Sequence, residues 1–284
     1  MERETFGYIM MISVAFLWGV GYTAIKILLQ VMDPFTLGAV RFAISSIFFV
    51  PIIIILWKSI MKKDLIIILI MGLTGITFYQ VLYNSGAEGV TAGLGSILVS
   101  TEPIFIYLLS IIFFKESFKA LKILGIMLSF SGITLIFFKD IFSYNGLLSI
   151  LLIIFASISW SIYTLLSKMV IEKYGALFVT SISSIFGTIF LIPFLFNFPI
   201  EEIKFNLLDW FSLIFLAIFT TIVAFYLNFK GIEILSPTKA STFYYLAPVF
   251  TILSAYFLIH EIVSITSIIG GILIILGVAI VNRT

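Results

Sequence analysis

Apolar residues fall in ten runs of roughly 17–25 positions, separated by short polar breaks, at about 6–28, 35–57, 66–84, 91–114, 120–138, 146–167, 177–197, 210–229, 238–259 and 266–282. A helix of that length crosses about 30 Å of hydrocarbon. The runs are continuous and not alternating, which excludes a transmembrane β-barrel. The pattern predicts an all-α polytopic membrane protein with ten transmembrane helices. The breaks are too short for any extramembrane domain.

The pattern also repeats. Pro103 and Pro248 stand 145 positions apart, and the same register pairs Gly86 with Gly231, Glu88 with Glu233, Ser96 with Ser241, Glu116 with Glu261, Gly125 with Gly270 and Gly132 with Gly277. Further forward the spacing is 142, matching Trp18 to Trp160, Lys26 to Lys168 and Pro51 to Pro193. The longer loop Asn197–Glu202 takes up the difference. Residues 1–140 and 141–284 thus read as two five-helix repeats. Five is odd, so the second repeat enters the membrane from the opposite side. Two similar halves of inverted topology can open one central site to either face in turn.

Composition narrows the class. The 284 residues are 62% hydrophobic and 11% charged, with a mean hydropathy of +1.25, where a soluble domain carries about 25% charged residues. The chain has no cysteine, so disulfides and thiolate metal sites are excluded. The first run follows Met1-Glu2-Arg3-Glu4, lacks a small-residue cleavage site and leads to Lys26, which reads as a retained helix. Twelve Lys and Arg residues (Arg3, Lys58, Lys62, Lys63, Lys115, Lys119, Lys122, Lys168, Lys173, Lys230, Lys239 and Arg283) fall on the side of both termini. Lys139, Lys204 and the acidic Glu201-Glu202 fall on the other. Basic loops stay inside, which puts both termini in the cytoplasm and the protein in the cell (inner) membrane.

Charges within the membrane cost roughly 2.5–3.5 kcal/mol each at a helix centre and so mark candidate sites. Glu102 lies midway along the fourth run, and its counterpart is Ala247. It reads as a proton site or a site for substrate charge, as a structural carboxylate paired with Arg41 or Lys26, or as a neutral, hydrogen-bonded acid. Arg41 lies two turns into the second run, where it can snorkel to the outer interface or bind an anionic group. Lys26 and Lys168 close the first and sixth runs, where a cation complements a helix C-terminus. Pro103 and Pro248 each remove a backbone donor, and matching helix bends at matching depth in two halves point to a central site. Ser96 and Ser100 precede the first bend, and Ser241, Tyr244 and Tyr245 the second. Tyr79, Tyr83 and Asn84 from the third run, Tyr226 from the eighth, and Trp18, Tyr22, Trp160 and Tyr163 from the first and sixth are the other candidates for substrate binding; Gln80, like Asn84, is too polar for a lipid face, and Asn228 is a further polar residue of the eighth run. The glycines at one-heptad spacing in the fifth and tenth runs read as packing positions. Glu116 and Glu261 read as helix-end caps or interfacial partners.

Nothing supports an enzyme. The single histidine is His260, no HExxH or glycine-rich phosphate loop occurs, and no cofactor or metal site is expected. No basic domain lies outside the membrane for nucleic acid. The expected partners are a small-molecule substrate, protons as a candidate coupling ion, and membrane lipid, with the chain a monomer or weak homodimer.

The segment AFLWGVGYTAIK, Asp33-Pro34 followed by Arg41, and the two blocks with Pro thirteen residues before Glu and then two Gly resemble the drug/metabolite transporter superfamily, EamA type. The likeness covers the whole chain, with departures at Ala247 and at Ser161 after Trp160. It implies ten helices in two inverted halves and a central cavity lined by the first, third, fourth, sixth, eighth and ninth helices. It further implies a secondary transporter working by alternating access. Exporters of amino acids or related amphipathic metabolites suit the aromatic, hydroxyl-rich candidates. The scarcity of inward Lys and Arg disfavours dianionic phosphates. A flippase of a lipid-linked precursor and a passive uniporter are the alternative readings.

Overall fold

The computed structural model describes residues 2–137, 144–197, 204–260 and 265–282, so Lys139, Glu201, Glu202, Glu261 and Arg283 lie outside the described residues. Ten helical spans follow in order: α1 Glu2–Leu28, α2 Pro34–Ile55, α3 Lys62–Glu88, α4 Ala92–Phe114, α5 Ala120–Phe137, α6 Tyr144–Tyr174, α7 Ala176–Phe196, α8 Leu207–Leu235, α9 Pro237–Ile259 and α10 Ile265–Asn282. Eight are long and apolar enough to cross a membrane; α5 and α10 carry shorter apolar stretches. No strand occurs among the described residues. The α6 and α8 helices run farther than their apolar stretches suggest. Their polar ends, with Lys168, Lys173 and Lys230, continue the helix instead of forming loops.

Local chemistry sets the boundaries. Asp33 caps α2, its carboxylate accepting from the amides of Phe35 and Thr36 at 3.0 Å, with Pro34 in the first turn, where a missing N–H costs nothing. Thr91 caps α4. Asn206 and Asp209 form a reciprocal capping box at the start of α8, satisfying two orphan amides.

Departures from regular helix recur along the chain. A π-helical stretch, Gly72–Phe78, interrupts α3, and another, Phe215–Val223, interrupts α8. The α4 helix breaks at Ser100-Thr101 before restarting at Glu102, and α9 tightens to 3-10 geometry over Thr242–Leu246 before restarting at Ala247. Pro103 and Pro248 each occupy the first turn of the restarted segment, the position that tolerates proline. The ends also match. Lys115 after α4 and His260 after α9 both adopt left-handed backbone, at φ 53° and 54°, and their amides reach the carbonyls of Ser110 and Ala255.

The core lies between α1, α2, α3, α4, α6, α7, α8 and α9. Many buried residues there are Ser and Thr that return their hydroxyls to a backbone carbonyl of their own helix, as Ser157 does to Ile153 and Ser183 to Val179. This is how a hydroxyl stays satisfied away from water. Large apolar side chains such as Ile47, Ile55, Phe113 and Phe257 face outward, as a hydrocarbon surround requires.

The α5 and α10 helices pack on each other at the edge of this core. A methyl group on Gly132 would stand 2.5 Å from the Gly270 carbonyl, and one on Gly277 would stand 2.3 Å from the Gly125 carbonyl. Only glycine permits backbones this close. Ser129 adds a hydrogen bond to the Ile274 carbonyl.

Candidate functional site

Five helices converge on a narrow cavity. The α1 helix supplies Trp18 and Tyr22, α2 supplies Arg41, and α3 supplies Tyr79, Gln80 and Tyr83. Trp160 enters from α6, and Thr220 and Phe225 from α8. The aromatic walls interlock. Trp18 meets Trp160 edge-on at 5.2 Å, Tyr79 meets Trp160 at 5.1 Å, and Tyr22 meets Tyr83 at 5.3 Å. Tyr79 and Tyr83, one helical turn apart, lie parallel at 5.8 Å. Edge-to-face and offset geometries of this kind hold aromatic rings beyond their area burial. Trp18 donates from Nε1 to the Thr220 carbonyl at 3.0 Å, an acceptor in the π-helical stretch of α8.

Arg41 is 5% exposed and does not snorkel to an interface. Its Nε donates to Thr221 Oγ1 at 2.8 Å, one terminal nitrogen to Thr220 Oγ1 at 2.9 Å and the other to Gln80 Oε1 at 3.4 Å. Three neutral oxygens thus hold the guanidinium against the cavity wall. The π geometry brings both threonine hydroxyls within reach at once: Thr220 and Thr221 both donate back to the Leu216 carbonyl, leaving their lone pairs for the cation.

Glu102 is 2% exposed and forms no ion pair among the described residues. The charge pairs run elsewhere: Lys122 with Glu116, Lys173 with Asp64, Lys230 with Glu233 and Lys239 with Glu4. The Glu102 Oε1 is buried without a hydrogen-bond partner. Ser161 donates to the Glu102 backbone carbonyl at 3.2 Å. Arg41 and Glu102 therefore do not pair with each other.

The remaining candidates divide. Tyr163 packs under Trp160 at 4.9 Å, and Tyr244 packs on Trp18 at 5.2 Å while donating to Asn228 Oδ1 at 2.6 Å. Both stand one layer behind the cavity. Tyr245 is buried, with its hydroxyl unpartnered. Asn84 donates to the Pro34 carbonyl at 3.1 Å, tying α3 to the start of α2. Ser96, Ser100 and Ser241 give their hydroxyls to the Gly93, Ser96 and Thr238 carbonyls and do not line the cavity. Tyr226 is half-buried at the edge of the core. Lys26 donates to the Ala87 and Glu88 carbonyls at 3.0 Å, complementing the C-terminus of α3, and lines a separate, more open cavity with Gln30, Glu88 and Thr91. Sequence reasoning missed Thr220, Thr221 and Phe225.

At the end of the bundle bearing Lys173, polar contacts join the N-terminal five helices to the C-terminal five. Asp64 accepts from Lys173 and, at 2.7 Å, from the Tyr174 hydroxyl. Glu4 accepts from Lys239 at 2.6 Å, and Glu116 from Thr238 at 2.6 Å.

Two stretches, residues 5–138 and 147–283, each match the model of the EamA-like transporter family. A protein of Archaeoglobus fulgidus named only as an uncharacterized transporter is 32% identical over 266 residues, covering 94% of this chain and 95% of its own. The uncharacterized transporter YdfC of Bacillus subtilis is 30% identical over 264 residues, covering 92% and 86%. A crystal structure superposes with a TM-score of 0.76 over 99% of this chain and 98% of its own, at 16% identity, a likeness of fold.

Proposed function

Since the chain belongs to the EamA-like transporter family, we propose that it is a secondary transporter working by alternating access, and that it exports amino acids or related amphipathic metabolites across the cell membrane. The observation that carries this reading is the narrow aromatic cavity with a buried cation on its wall, walled by helices from both five-helix units. Aromatic faces suit an apolar side chain, and the hydroxyls and guanidinium suit a polar head. Alternating access between inverted halves at 1–140 and 141–284, with both termini cytoplasmic, accounts for the placement of the cavity between the units. The helix breaks beside Pro103 and Pro248 are the elements that bend. The polar contacts through Asp64, Glu4 and Glu116 join the two units at the cytoplasmic ends, a closure the cycle must undo. Glu102 is the coupling carboxylate, exchanging a proton as the site changes face.

Counterflow of labelled amino acids into proteoliposomes tests the reading, with wild type and Glu102→Gln side by side. Saturable uptake of apolar or aromatic amino acids is expected. The variant should keep counterflow and lose its response to a pH gradient. Absence of uptake for every amino acid, by folded protein, would remove the substrate class and favour a lipid-linked cargo.

A further inference from the structure

Among the described residues Arg41 is the one Lys or Arg that is buried, and it lines the central cavity. Lys122, Lys173, Lys230 and Lys239 each have a carboxylate partner. Arg41 has none among the described residues. Its three hydrogen bonds go to Thr221 Oγ1, Thr220 Oγ1 and Gln80 Oε1, all uncharged. A guanidinium carries five N–H donors, so two remain, one on each terminal nitrogen. No Asp or Glu is among the residues that line the cavity. A charge taken out of water without a counter-charge is expensive. The repeated scaffold does not call for it either. At the spacing of 142 the counterpart of Arg41 is Ser183, which returns its hydroxyl to the Val179 carbonyl of its own helix.

We propose that Arg41 reads a carboxylate on the cargo, and that the cargo is an apolar monocarboxylate whose amine is dispensable: an amino acid with an apolar side chain, or the same acid without its amino group. This deepens the transport reading above and rests on it. One free N–H on each terminal nitrogen offers a carboxylate two donors, the bidentate pairing for which arginine is suited. Thr220, Thr221 and Gln80 hold the guanidinium in place before cargo arrives, which lowers the cost of ordering it on binding. The apolar body belongs among Trp18, Trp160 and Phe225, which line the same cavity. The cavity is narrow, so a ring is seated as the aromatic walls part, a motion that alternating access already requires. One guanidinium balances one negative charge, which fits a monoanion. An ammonium meets no acidic side chain on the cavity wall and is repelled by the guanidinium. A carboxylate is therefore accepted with or without the amine, and an amine alone is refused. A charge-assisted contact of this kind discriminates by about tenfold or more against an analogue that lacks it.

The test is ligand-induced thermal stabilisation of purified full-length protein, using L-phenylalanine, 3-phenylpropionate (no amine) and phenethylamine (no carboxylate). On wild type, the two acids should bind within about tenfold of each other, and each about tenfold or more tighter than the amine. Arg41→Gln should weaken both acids by about tenfold or more and should not weaken the amine. Arg41→Lys, which keeps the charge without the planar fork, should retain the preference for a carboxylate at reduced affinity. The comparison on wild type needs no variant and holds even where a substitution prevents folding. Binding of the amine as tight as that of the acids, loss of phenylpropionate binding alongside retained phenylalanine binding, or an Arg41→Gln protein that binds all three as wild type does overturns the proposal. If phenylalanine counterflow occurs alongside any of these results, the carboxylate assignment fails and the transporter reading stands. If none of the three compounds binds and no amino acid is transported, both fall.

Discussion

Arg41 on α2 and Thr221 on α8, 180 residues apart in sequence, are joined by a 2.8 Å hydrogen bond from Nε to Oγ1. The bond exists because α8 widens into π geometry at Phe215–Val223, which brings Thr220 and Thr221 together to face one guanidinium. π stretches inside α-helices frequently mark functional sites, and here the local unwinding has a definable product. Thr221→Val is expected to leave the buried Nε–H without an acceptor and to lower stability by about 1–3 kcal/mol. Thr221→Ser should restore most of it. Thermal unfolding of the two variants beside wild type checks both.

The contact between α5 and α10 makes a within-helix comparison possible. A methyl group at Gly277 would stand 2.1 Å from the Ser129 hydroxyl, whereas one at Gly271 meets nothing within 4 Å. Gly277→Ala should destabilise the protein. Gly271→Ala should be neutral or raise stability by about 0.5–1 kcal/mol through the lower entropy of its unfolded chain. Equal melting temperatures for the two variants would contradict the close packing of these helices.

Asp64 fastens the start of α3 to the end of α6 through Lys173 and Tyr174. Asp64→Asn keeps an acceptor for the tyrosine and removes the charge that holds the lysine. A unique cysteine at Ser159, which ordinarily donates across to the Thr74 carbonyl on α3, should then react faster with a membrane-permeant maleimide. An unchanged labelling rate would mean that this fastening does not limit opening between α3 and α6.

Lys115 and His260 are exposed residues holding left-handed backbone, a conformation costing roughly 1–2 kcal/mol for residues with a Cβ. Glycine at either position should raise the melting temperature, and glycine at both should raise it additively, since the two caps share no contact partner in their hydrogen bonding.

The helices were legible because hydrocarbon imposes a length and a polarity on every span, and the observed spans fall within a few residues of the apolar runs except where α6 and α8 continue past them. Within the site, Trp18, Tyr22, Tyr79, Tyr83 and Trp160 stood out as polar-edged aromatics in apolar helices, and all five reach the cavity. Ser96, Ser100 and Ser241 looked equally suitable, yet a serine's sequence neighbours do not reveal that its hydroxyl is returned to its own helix. Thr220 and Thr221 passed unnoticed because a threonine pair in an apolar run carries no sign that the backbone there unwinds. Phe225 is one of 31 phenylalanines, and only the packing distinguishes it. Arg41 was visible, but its reach could not be read without knowing which helix faces it.

The matching left-handed ends at Lys115 and His260 carry a last consequence. Lysine and histidine share little as side chains, yet the main chain passes through the same point after each, 145 positions apart. The route of the backbone is the same where the side chains that decorate it differ. These two positions form a pair in which backbone geometry is the same and side-chain chemistry differs. Exchanging such counterparts, beginning with Glu102 and Ala247, would separate what the scaffold requires from what the cargo requires within a single polypeptide.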